Sequence, residues 1–367
     1  MESAHRKRPA ARKAPTRRPG IWVLLLSAAL LLSMLVSLGL GSADVGIGDA
    51  LRILGTKLHL YSPEKHDVDE IIPAADVGST PEQGVILQIR LPRVVLAVLI
   101  GMLLAISGVV MQAFFRNVMA GPYLVGVSSG AALGAVLAMI LGWAFSIGKL
   151  STVPLSAFVF ALAVVALVYV LNRRRGKLQT DGLLLTGIAV ASAISAVVAV
   201  LMVMSSRSVH QVLFWLLGSL SAARWDHVEV VLPYAVVGVV VVLFLARDMD
   251  LLLWGDVTGA ALGVQVDRTR TILLVAASLM TASAVAVSGV IGFVGLMVPH
   301  VARFLVGAMH RRLIVVSALL GGLLLLWADV LARTLWAPTE LPLGAITAIV
   351  GAPFLVYLCT RGRVAGR

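Results

Sequence analysis

The sequence predicts an all-helical protein that crosses a membrane about ten times. Of its 367 residues, 59% are hydrophobic and 13% are charged, and the mean hydropathy is +0.99. About a quarter of the residues of a soluble domain are charged, so this chain lacks the polar surface that water requires. Solid apolar runs of roughly 20 residues recur along it, as transmembrane helices require, whereas barrel strands would alternate apolar and polar residues.

The placement of positive charge predicts the orientation. The net charge is +12, and Lys and Arg concentrate before the first apolar run, in the loop 173–177, at Arg311 and Arg312, and in the tail from Arg361. Cytoplasmic loops carry such an excess of Lys and Arg. We therefore expect a multi-pass protein of the cell (inner) membrane with both termini in the cytoplasm, and we attribute its charge to topology rather than to nucleic-acid binding.

Ten crossings place every basic cluster on the inner side. A basic tail, 1–20, precedes a ten-helix domain at 21–360, and a cytoplasmic tail, 361–367, ends the chain. The polar segment 41–85 is predicted to be external, and 247–270 to be a long cytoplasmic loop. The ten predicted crossings are 21–40, 86–113, 123–146, 152–171, 182–205, 228–246, two between 271 and about 310, 313–333 and 342–360. A short amphipathic helix within 206–226 is predicted to lie on the outer surface without crossing the membrane.

A repeated motif indicates an internal duplication. Ala105-Ile-Ser-Gly-Val, then Leu124-Val-Gly, recurs 181 residues later as Ala286-Val-Ser-Gly-Val, then Leu305-Val-Gly. Five crossings separate the copies, so the second is expected to be inverted relative to the first. Inverted repeats are typical of transporters, and the sequence therefore predicts two of them here.

Two kinds of feature within the apolar runs need an explanation. Gly126, Gly130 and Gly134 recur one turn apart, a spacing that favours close helix packing. Gln112 either lines a passage or caps a helix, and His300 is most simply explained as hydrogen-bonded structure.

Arginines at the predicted outer end run against the positive-inside trend. Arg90 and Arg93 flank Leu-Pro at the start of the second helix, and Arg333 ends the ninth, one turn after Asp329. Two interpretations remain open at this point. The arginines pair locally or reach lipid head groups, or they dock an acidic external partner.

The sequence carries no signature of an enzyme. It contains no catalytic triad, carboxylate pair or histidine cluster, and its single cysteine, Cys359, excludes an internal disulfide and a multi-thiol metal site. The segment 142–150 resembles a phosphate-binding loop, but its glycine spacing is one residue too long and Leu150 replaces the hydroxyl that binds Mg²⁺. We expect no catalytic residue, no metal site and no ATP hydrolysis in this chain.

The loop 247–270 is the best cytoplasmic candidate for a partner contact. Its stretches 251–256 and 260–263 combine small and apolar residues but are too short to span a bilayer. Leu and Trp in a loop facing water are usually covered by a partner; the alternative is a helix lying on the inner leaflet.

Ordered motifs run from about residue 86 to 360. They are Arg90-Leu-Pro-Arg93, Ser107-Gly-x-x-x-Gln112, Arg116-Asn117, Leu124-x-Gly-Val-Ser-Ser-Gly-Ala131, Gly292-Phe-x-Gly-Leu-x-x-Pro-His300, Ala328-Asp-x-x-Ala-Arg333, Glu340-Leu-Pro-x-Gly344 and Gly351-Ala-Pro-Phe354. In this order they resemble the permease family of the ABC importers for vitamin B12, haem and iron–siderophores.

The resemblance implies the partners. It implies a homodimer of ten-helix subunits, two ATP-binding cassette subunits on the cytoplasmic side and one external substrate-binding protein. ATP and Mg²⁺ would be bound by the partner ATPase, so that this chain binds no cofactor. In the family, arginines at the positions of Arg90, Arg93 and Arg333 pair with glutamates of the binding protein, which favours the docking interpretation.

The resemblance also implies two sets of cytoplasmic residues. The coupling helices that dock into the ATPase would include Gly255, Asp256, Ala260, Leu262 and Gly263. The cytoplasmic gate would include Asn117, Met119, Thr180 and Asp181. Val118 and Gly121 replace the proline and the acid that the family usually carries in the first gate loop, which predicts a more flexible gate.

We therefore predict the permease subunit of an ATP-driven importer that carries a bulky metal chelate inward. The motifs do not choose among iron–siderophore, haem and cobalamin, and an iron chelate is slightly favoured. An ion-gradient-driven secondary transporter is the alternative, but it predicts an intramembrane carboxylate, and the first eight helices offer essentially none in mid-span. An intramembrane enzyme would need a paired nucleophile and base.

Overall fold

The computed structural model describes residues 19–40, 84–174, 177–205 and 209–360, and these are almost entirely helical. The tail 361–367, nearly all of the tail 1–20 and nearly all of the external segment 41–85 lie outside the described residues.

Thirteen α-helices make up the described part of the chain. They are α1 Pro19–Gly39, α2 Leu91–Phe114, α3 Val127–Ile140, α4 Thr152–Leu171, α5 Thr180–Met204, α6 Val209–Leu216, α7 Trp225–Phe244, α8 Ala246–Leu252, α9 Asp256–Ala261, α10 Val266–Ser288, α11 Val294–Val306, α12 His310–Thr334 and α13 Leu343–Thr360. A π-helical segment, Val85–Arg90, leads into α2, and a 3₁₀ turn, Pro122–Val125, precedes α3.

Two short antiparallel hairpins join helices at the surface. β1 Ser146–Ile147 pairs with β2 Leu150–Ser151 between α3 and α4, and β3 Arg173–Arg174 pairs with β4 Lys177–Leu178 between α4 and α5. The first hairpin turns at Gly148, whose φ is 63°. The segment that resembles a phosphate-binding loop in sequence is therefore a strand–turn–strand connection.

Ten of the helices match the ten predicted crossings, and the prediction of a polytopic helical fold is confirmed. Among the described residues, seven helices are long and apolar enough to span a bilayer, and α3, α11 and most of α13 form three shorter apolar helices. The helix α3 is shorter than the predicted 123–146 because Gly126 precedes it with a φ of 84° and Gly142 follows it with a φ of 63°.

The segment 247–270, predicted as a long cytoplasmic loop with coupling helices implied by the resemblance, is largely helical. The short helices α8 and α9 occupy most of it, and α10 already begins at Val266. Gly255 and Gly263, with φ values of 110° and 92°, bracket α9. Because these dihedrals favour glycine, the two residues set the ends of the helix.

The helix α2 lies at the centre of the bundle, with 83% of its most apolar stretch buried. Glycines let its neighbours approach closely: a Cβ on Gly101 would lie 2.2 Å from the Gly321 oxygen of α12, and one on Gly108 would lie 1.7 Å from the Gly295 oxygen of α11. No side chain fits at either crossing. Helix axes pack this closely where small residues face backbone.

The helices α2 and α10 run in opposite directions, as the crossing count predicts. Asp256 joins the end of α2 to the start of α10, and halfway along, the Ser107 hydroxyl donates to the Ala277 carbonyl at 3.3 Å. The register that the 181-residue motif implies is nevertheless wrong. Ser107 lies within α2, whereas its counterpart Ser288 ends α10. Likewise, Leu124-Val-Gly precedes α3, whereas Leu305-Val-Gly ends α11.

Candidate functional site

Charged side chains gather at the two opposite ends of the bundle. The outer-end cluster comprises Arg90, Arg93, Asp329, Arg333 and Glu340, at the start of α2 and the end of α12. The inner-end cluster comprises Arg116, Asp256 and Arg270, at the end of α2, on α9 and at the start of α10. "Outer" and "inner" follow the orientation that the basic loops predict.

Arg93 holds the outer-end cluster together. Its Nε and Nη2 donate to the two Asp329 oxygens at 2.9 to 3.1 Å, and its Nη1 donates to Glu340 at 2.7 Å. The Asp329 side chain is fully buried, whereas that of Glu340 is 37% exposed. Two-pronged contacts between a guanidinium and a carboxylate are among the stronger charged hydrogen bonds.

The other two outer arginines bind the end of α1. The Arg90 Nη1 donates to the Leu38 carbonyl at 2.7 Å. The Arg333 guanidinium donates to the Leu40 and Ser37 carbonyls at 2.6 and 2.8 Å and to the Ser37 hydroxyl at 2.6 Å. The last carbonyls of a helix lack intrahelical partners and carry partial negative charge, so both arginines satisfy and attract them.

The structure thus brings the three predicted docking arginines together and buries each of them. The pairing of Arg333 with Asp329 that the sequence spacing predicts is present, at 3.6 Å. Sequence reasoning missed the contact of Arg93 with Asp329, which is 236 residues away, and the contact with Glu340. The only available signal was that Asp329 and Glu340 each lie in a family motif, and only the motif of Asp329 also contains one of the arginines, Arg333.

The inner-end cluster links three elements through one carboxylate. Asp256, the first residue of α9, accepts hydrogen bonds from Arg116 and, at 2.8 Å, from the Arg270 Nη2. The Arg116 Nε also donates to the Leu252 carbonyl of α8 at 3.0 Å. Asp256 is 45% exposed and Arg116 is 36% exposed, so water reaches this cluster.

The predicted coupling residues form a single small unit. Gly255 caps the start of α9, Asp256 and Ala260 lie within it, Leu262 caps its end and Gly263 follows. Large apolar side chains project from this unit, with Trp254 at 79% exposure and Val257 at 86%. Sequence reasoning anticipated an exposed Trp here and missed Val257.

The predicted gate residues lie on neighbouring elements. The Asn117 side-chain oxygen accepts the Met119 backbone N–H at 2.9 Å, and the Asn117 backbone N–H donates to the Gln112 carbonyl at 3.1 Å. Thr180 and Asp181 begin α5, which packs on the 3₁₀ turn just after the Asn117 loop. At that crossing a Cβ on Gly187 would lie 2.2 Å from the Leu124 oxygen.

A cluster of polar side chains lies within α2 and α11, and sequence reasoning predicted only some of its members. Gln112 accepts a hydrogen bond from the Arg303 Nη2 at 2.6 Å and donates to the Leu296 carbonyl at 3.2 Å. The His300 ring packs edge-on against Phe304, with centroids 5.0 Å apart. Among the described residues its Nε2 has no hydrogen-bond partner, so the expected hydrogen bond at that atom is not formed. Sequence reasoning missed Arg303, which lies one turn after His300.

The predicted packing glycines contact α4. A Cβ on Gly130 would lie 2.6 Å from the Phe160 oxygen, and one on Gly134 would lie 2.3 Å from the Ser156 oxygen. Gly126 differs from them because it precedes α3 with a positive φ instead of lying on the helix face.

A further contact at the inner end ties α8 to the start of α12. The Asp250 carboxylate accepts the His310 backbone N–H at 3.1 Å and approaches the His310 Nδ1 at 2.6 Å. Burial acts to raise the pKa of Asp250, but these hydrogen bonds outweigh it and hold that pKa below its usual range. No sequence signal pointed to this pair.

Comparison with known proteins places these features in a family. Residues 29–361 match the model of the FecCD transport family. The chain is 49% identical over 276 residues to the cobalamin import system permease protein of Halobacterium salinarum, covering 75% of this chain and 73% of that one. It is 40% identical over 346 residues to the hemin transport system permease protein of Yersinia pestis, covering 92% and 96%.

A solved structure gives the same result. An inward-facing metal-chelate type ABC transporter superposes with a TM-score of 0.77 at 30% identity, covering 94% of this chain and 99% of that one.

Proposed function

We propose that two separate ATPase subunits drive this chain and that an external binding protein supplies its cargo. The chain belongs to the FecCD transport family and is a membrane permease of an ABC importer for metal chelates. In this proposal the chain itself binds no cofactor and catalyses no reaction. ATP and Mg²⁺ are bound by the ATPase subunits, and both termini lie on their side of the inner membrane.

The exposed apolar side chains around α9 support the proposal that the ATPase is a separate subunit. Trp254, two residues before the six-residue helix α9, and Val257 within that helix are exposed outside the long membrane helices and leave apolar surface uncovered. Apolar side chains that project in this way are typical of a protein contact. We assign this unit, residues 254–263, as the surface that seats the ATPase.

The outer-end cluster is our proposed docking point for the binding protein. Arg93 and Arg333 face two carboxylates there, Asp329 and Glu340. Since Asp329 is fully buried and Glu340 is partly exposed, Glu340 is the partner that an incoming carboxylate can replace on Arg93. An acidic side chain of the binding protein would then complete the cluster, so Glu340→Gln is expected to tighten binding of that protein.

We propose that the cargo passes between two copies of the chain. A cavity of about 760 Å³ at the outer end, between the start of α7 and the end of α10, has the size of a drug-sized ligand site rather than that of a bulky chelate. In the single chain, α5 is largely uncovered, with only 11% of its most apolar stretch buried. Cysteine cross-linking along α5 in native membranes tests for the second copy.

The cargo is a bulky metal chelate, and two classes have support. The 49% identity to a cobalamin permease favours a corrinoid. The sequence-based preference for an iron chelate remains a prediction, with hemin and ferric dicitrate permeases among the relatives at 40% identity. Uptake of labelled cyanocobalamin, hemin and ferric citrate by cells with and without the gene decides among them.

Reconstitution tests the proposed function directly. Proteoliposomes containing this chain and its co-purified ATPase subunits are expected to accumulate the chelate when ATP and the loaded binding protein are supplied. Liposomes with the chain alone are expected to accumulate none under a proton or sodium gradient. Gradient-driven uptake without the ATPase would establish the secondary transporter instead.

A further inference from the structure

The Arg116 side chain joins two parts of the chain that the proposed function treats separately. Arg116 directly precedes the gate residues Asn117 and Met119 in sequence. Its guanidinium binds the Asp256 carboxylate of the coupling unit and the Leu252 carbonyl at the end of α8. A single side chain therefore spans from the gate loop to the surface proposed to seat the ATPase.

The backbone at Arg116 is held in a sparsely populated conformation. Its φ is 48°, and among the described residues Phe293 is the only other non-glycine residue with a positive φ. An arginine adopts this left-handed region when surrounding contacts fix it there. Because the Arg116 guanidinium is bound to α8 and α9, displacement of those helices acts on the residue that sets the direction of the gate loop.

Hydrogen bonds connect the gate loop next to Arg116 to the interior of the bundle. The Asn117 backbone N–H donates to the Gln112 carbonyl, and the Gln112 side chain accepts from Arg303 of α11. The contacts of Arg116 thus lie at one end of a hydrogen-bonded route from α9 through the gate loop to α11.

The exposure of the pair indicates that its contribution to stability is small. Asp256 is 45% exposed and Arg116 is 36% exposed, and ion pairs in contact with water contribute little to folding. Such a pair can also be formed and broken at small cost. Arg270, whose side chain is only 7% exposed, holds Asp256 from the other side and keeps the carboxylate in place.

We propose that the Arg116–Asp256 ion pair is the link that transmits movement of α9 to the gate loop, and this inference rests on the proposed function. Arg116 and Asp256 are positioning residues in this account: they set the gate from a distance and do not contact the cargo. The competing role for Asp256 is a direct contact with the ATPase, in which Arg116 has no part.

A double-mutant cycle separates these two roles. We compare wild type, Arg116→Gln, Asp256→Asn and the double variant in proteoliposomes with the ATPase subunits, and measure chelate taken up per ATP hydrolysed. Each single substitution is expected to lower this ratio by about tenfold, within the range usual for coupling between sites, while ATPase assembly is retained. The double variant is expected to match the single variants, because each change breaks the same link.

Two controls keep the result interpretable. Lys149 and Glu229 form an ion pair of similar exposure at the other end of the bundle, so Glu229→Gln is expected to leave uptake per ATP unchanged. Asp256→Glu keeps the charge and is expected to retain most of the coupling. Hydrogen exchange at 117–120 in the assembled transporter is expected to quicken in Asp256→Asn, and it reports on the gate loop even where uptake is too weak to quantify.

Effects that multiply in the double variant would overturn the link, since they would place Arg116 and Asp256 in independent roles. Unchanged uptake per ATP and unchanged exchange at 117–120 would also overturn it. Failure of the wild-type assembly to take up any chelate with ATP would instead contradict the proposed function itself.

Discussion

The two ends of the bundle hold similar ion-pair clusters that differ in their exposure to water. At each end, arginines converge on one aspartate. At the outer end, Asp329 is fully buried between Arg93 and Arg333 and has no access to water. At the inner end, Asp256 is almost half exposed between Arg116 and Arg270.

This difference in burial makes the outer ion pairs fixed contacts, whereas the inner ion pair can be broken and formed again. Removing one partner of a buried ion pair leaves an uncompensated charge in a medium of low dielectric constant, which is costly. A water-exposed pair gains little and loses little, because solvent replaces either partner. We infer that the outer end, which also holds the end of α1, is the rigid frame of the protein and that the inner end is the part that moves.

Asp329→Asn gives the largest expected effect. It removes the charge that Arg93 and Arg333 share, and loss of one partner of a buried pair typically costs about 3–5 kcal/mol. Denaturant unfolding in detergent measures the loss. Glu340→Gln is the matched control, because its exposed carboxylate is expected to contribute no more than about 1 kcal/mol.

Gly108→Ala is expected to come next. Its Cβ would lie 1.7 Å from the Gly295 oxygen, so α2 and α11 must separate, at a typical cost of about 1–3 kcal/mol. The same unfolding measurement applies. A Cβ at Gly292 meets no atom within 4 Å, so Gly292→Ala is expected to be neutral. Equal stability of the two variants would contradict the packing described for α2.

Asp250→Ala is expected to have a smaller effect at the inner end. The Asp250 carboxylate accepts the His310 N–H at the start of α12, and loss of such a cap costs about 1 kcal/mol. Because folding lowers the pKa of Asp250, its contribution is complete above the ordinary pKa of about 3.9 and is lost as the pH falls through the lower folded value. The stability difference from wild type, followed by pH titration, should therefore vanish in strong acid.

Arg116→Gln is expected to change stability least, by at most about 1 kcal/mol, because water replaces its exposed guanidinium and Asp256 keeps its contact with Arg270. Its larger effect is expected on uptake per ATP hydrolysed. A loss of stability as large as that of Asp329→Asn would show that the two ends are equally rigid and would remove the distinction between them.

The sequence predicted most of the fold because its signals are local. Runs of apolar residues need no tertiary information, and they located the ten apolar helices along the chain, although α3 is shorter than predicted. No local pattern indicated the short helices α8 and α9, because six or seven residues are too few for a helical period to stand out, and only the family resemblance implied coupling helices in this segment. The repeat register was wrong because matches among Ala, Ser, Gly and Val arise easily in an apolar chain.

For the candidate site, the sequence predicted which residues take part but not which residues they contact. Family motifs supplied Arg90, Arg93, Arg333 and Asp256 as candidates, but no local pattern gives the partners. Arg93 meets Asp329 across 236 residues, and Arg116 meets Asp256 across 140. Burial, which makes the first pair a fixed contact and the second a contact that can be remade, depends on the packing of α1, α9 and α12 around those ends.

Hydrogen exchange of the assembled transporter, with and without ATP, tests the division into a fixed outer end and a moving inner end most directly. We predict that ATP changes exchange in residues 116–121 and 251–262 and leaves exchange in residues 88–95 and 327–334 unchanged. Equal changes at both ends, or changes confined to the outer end, would contradict it.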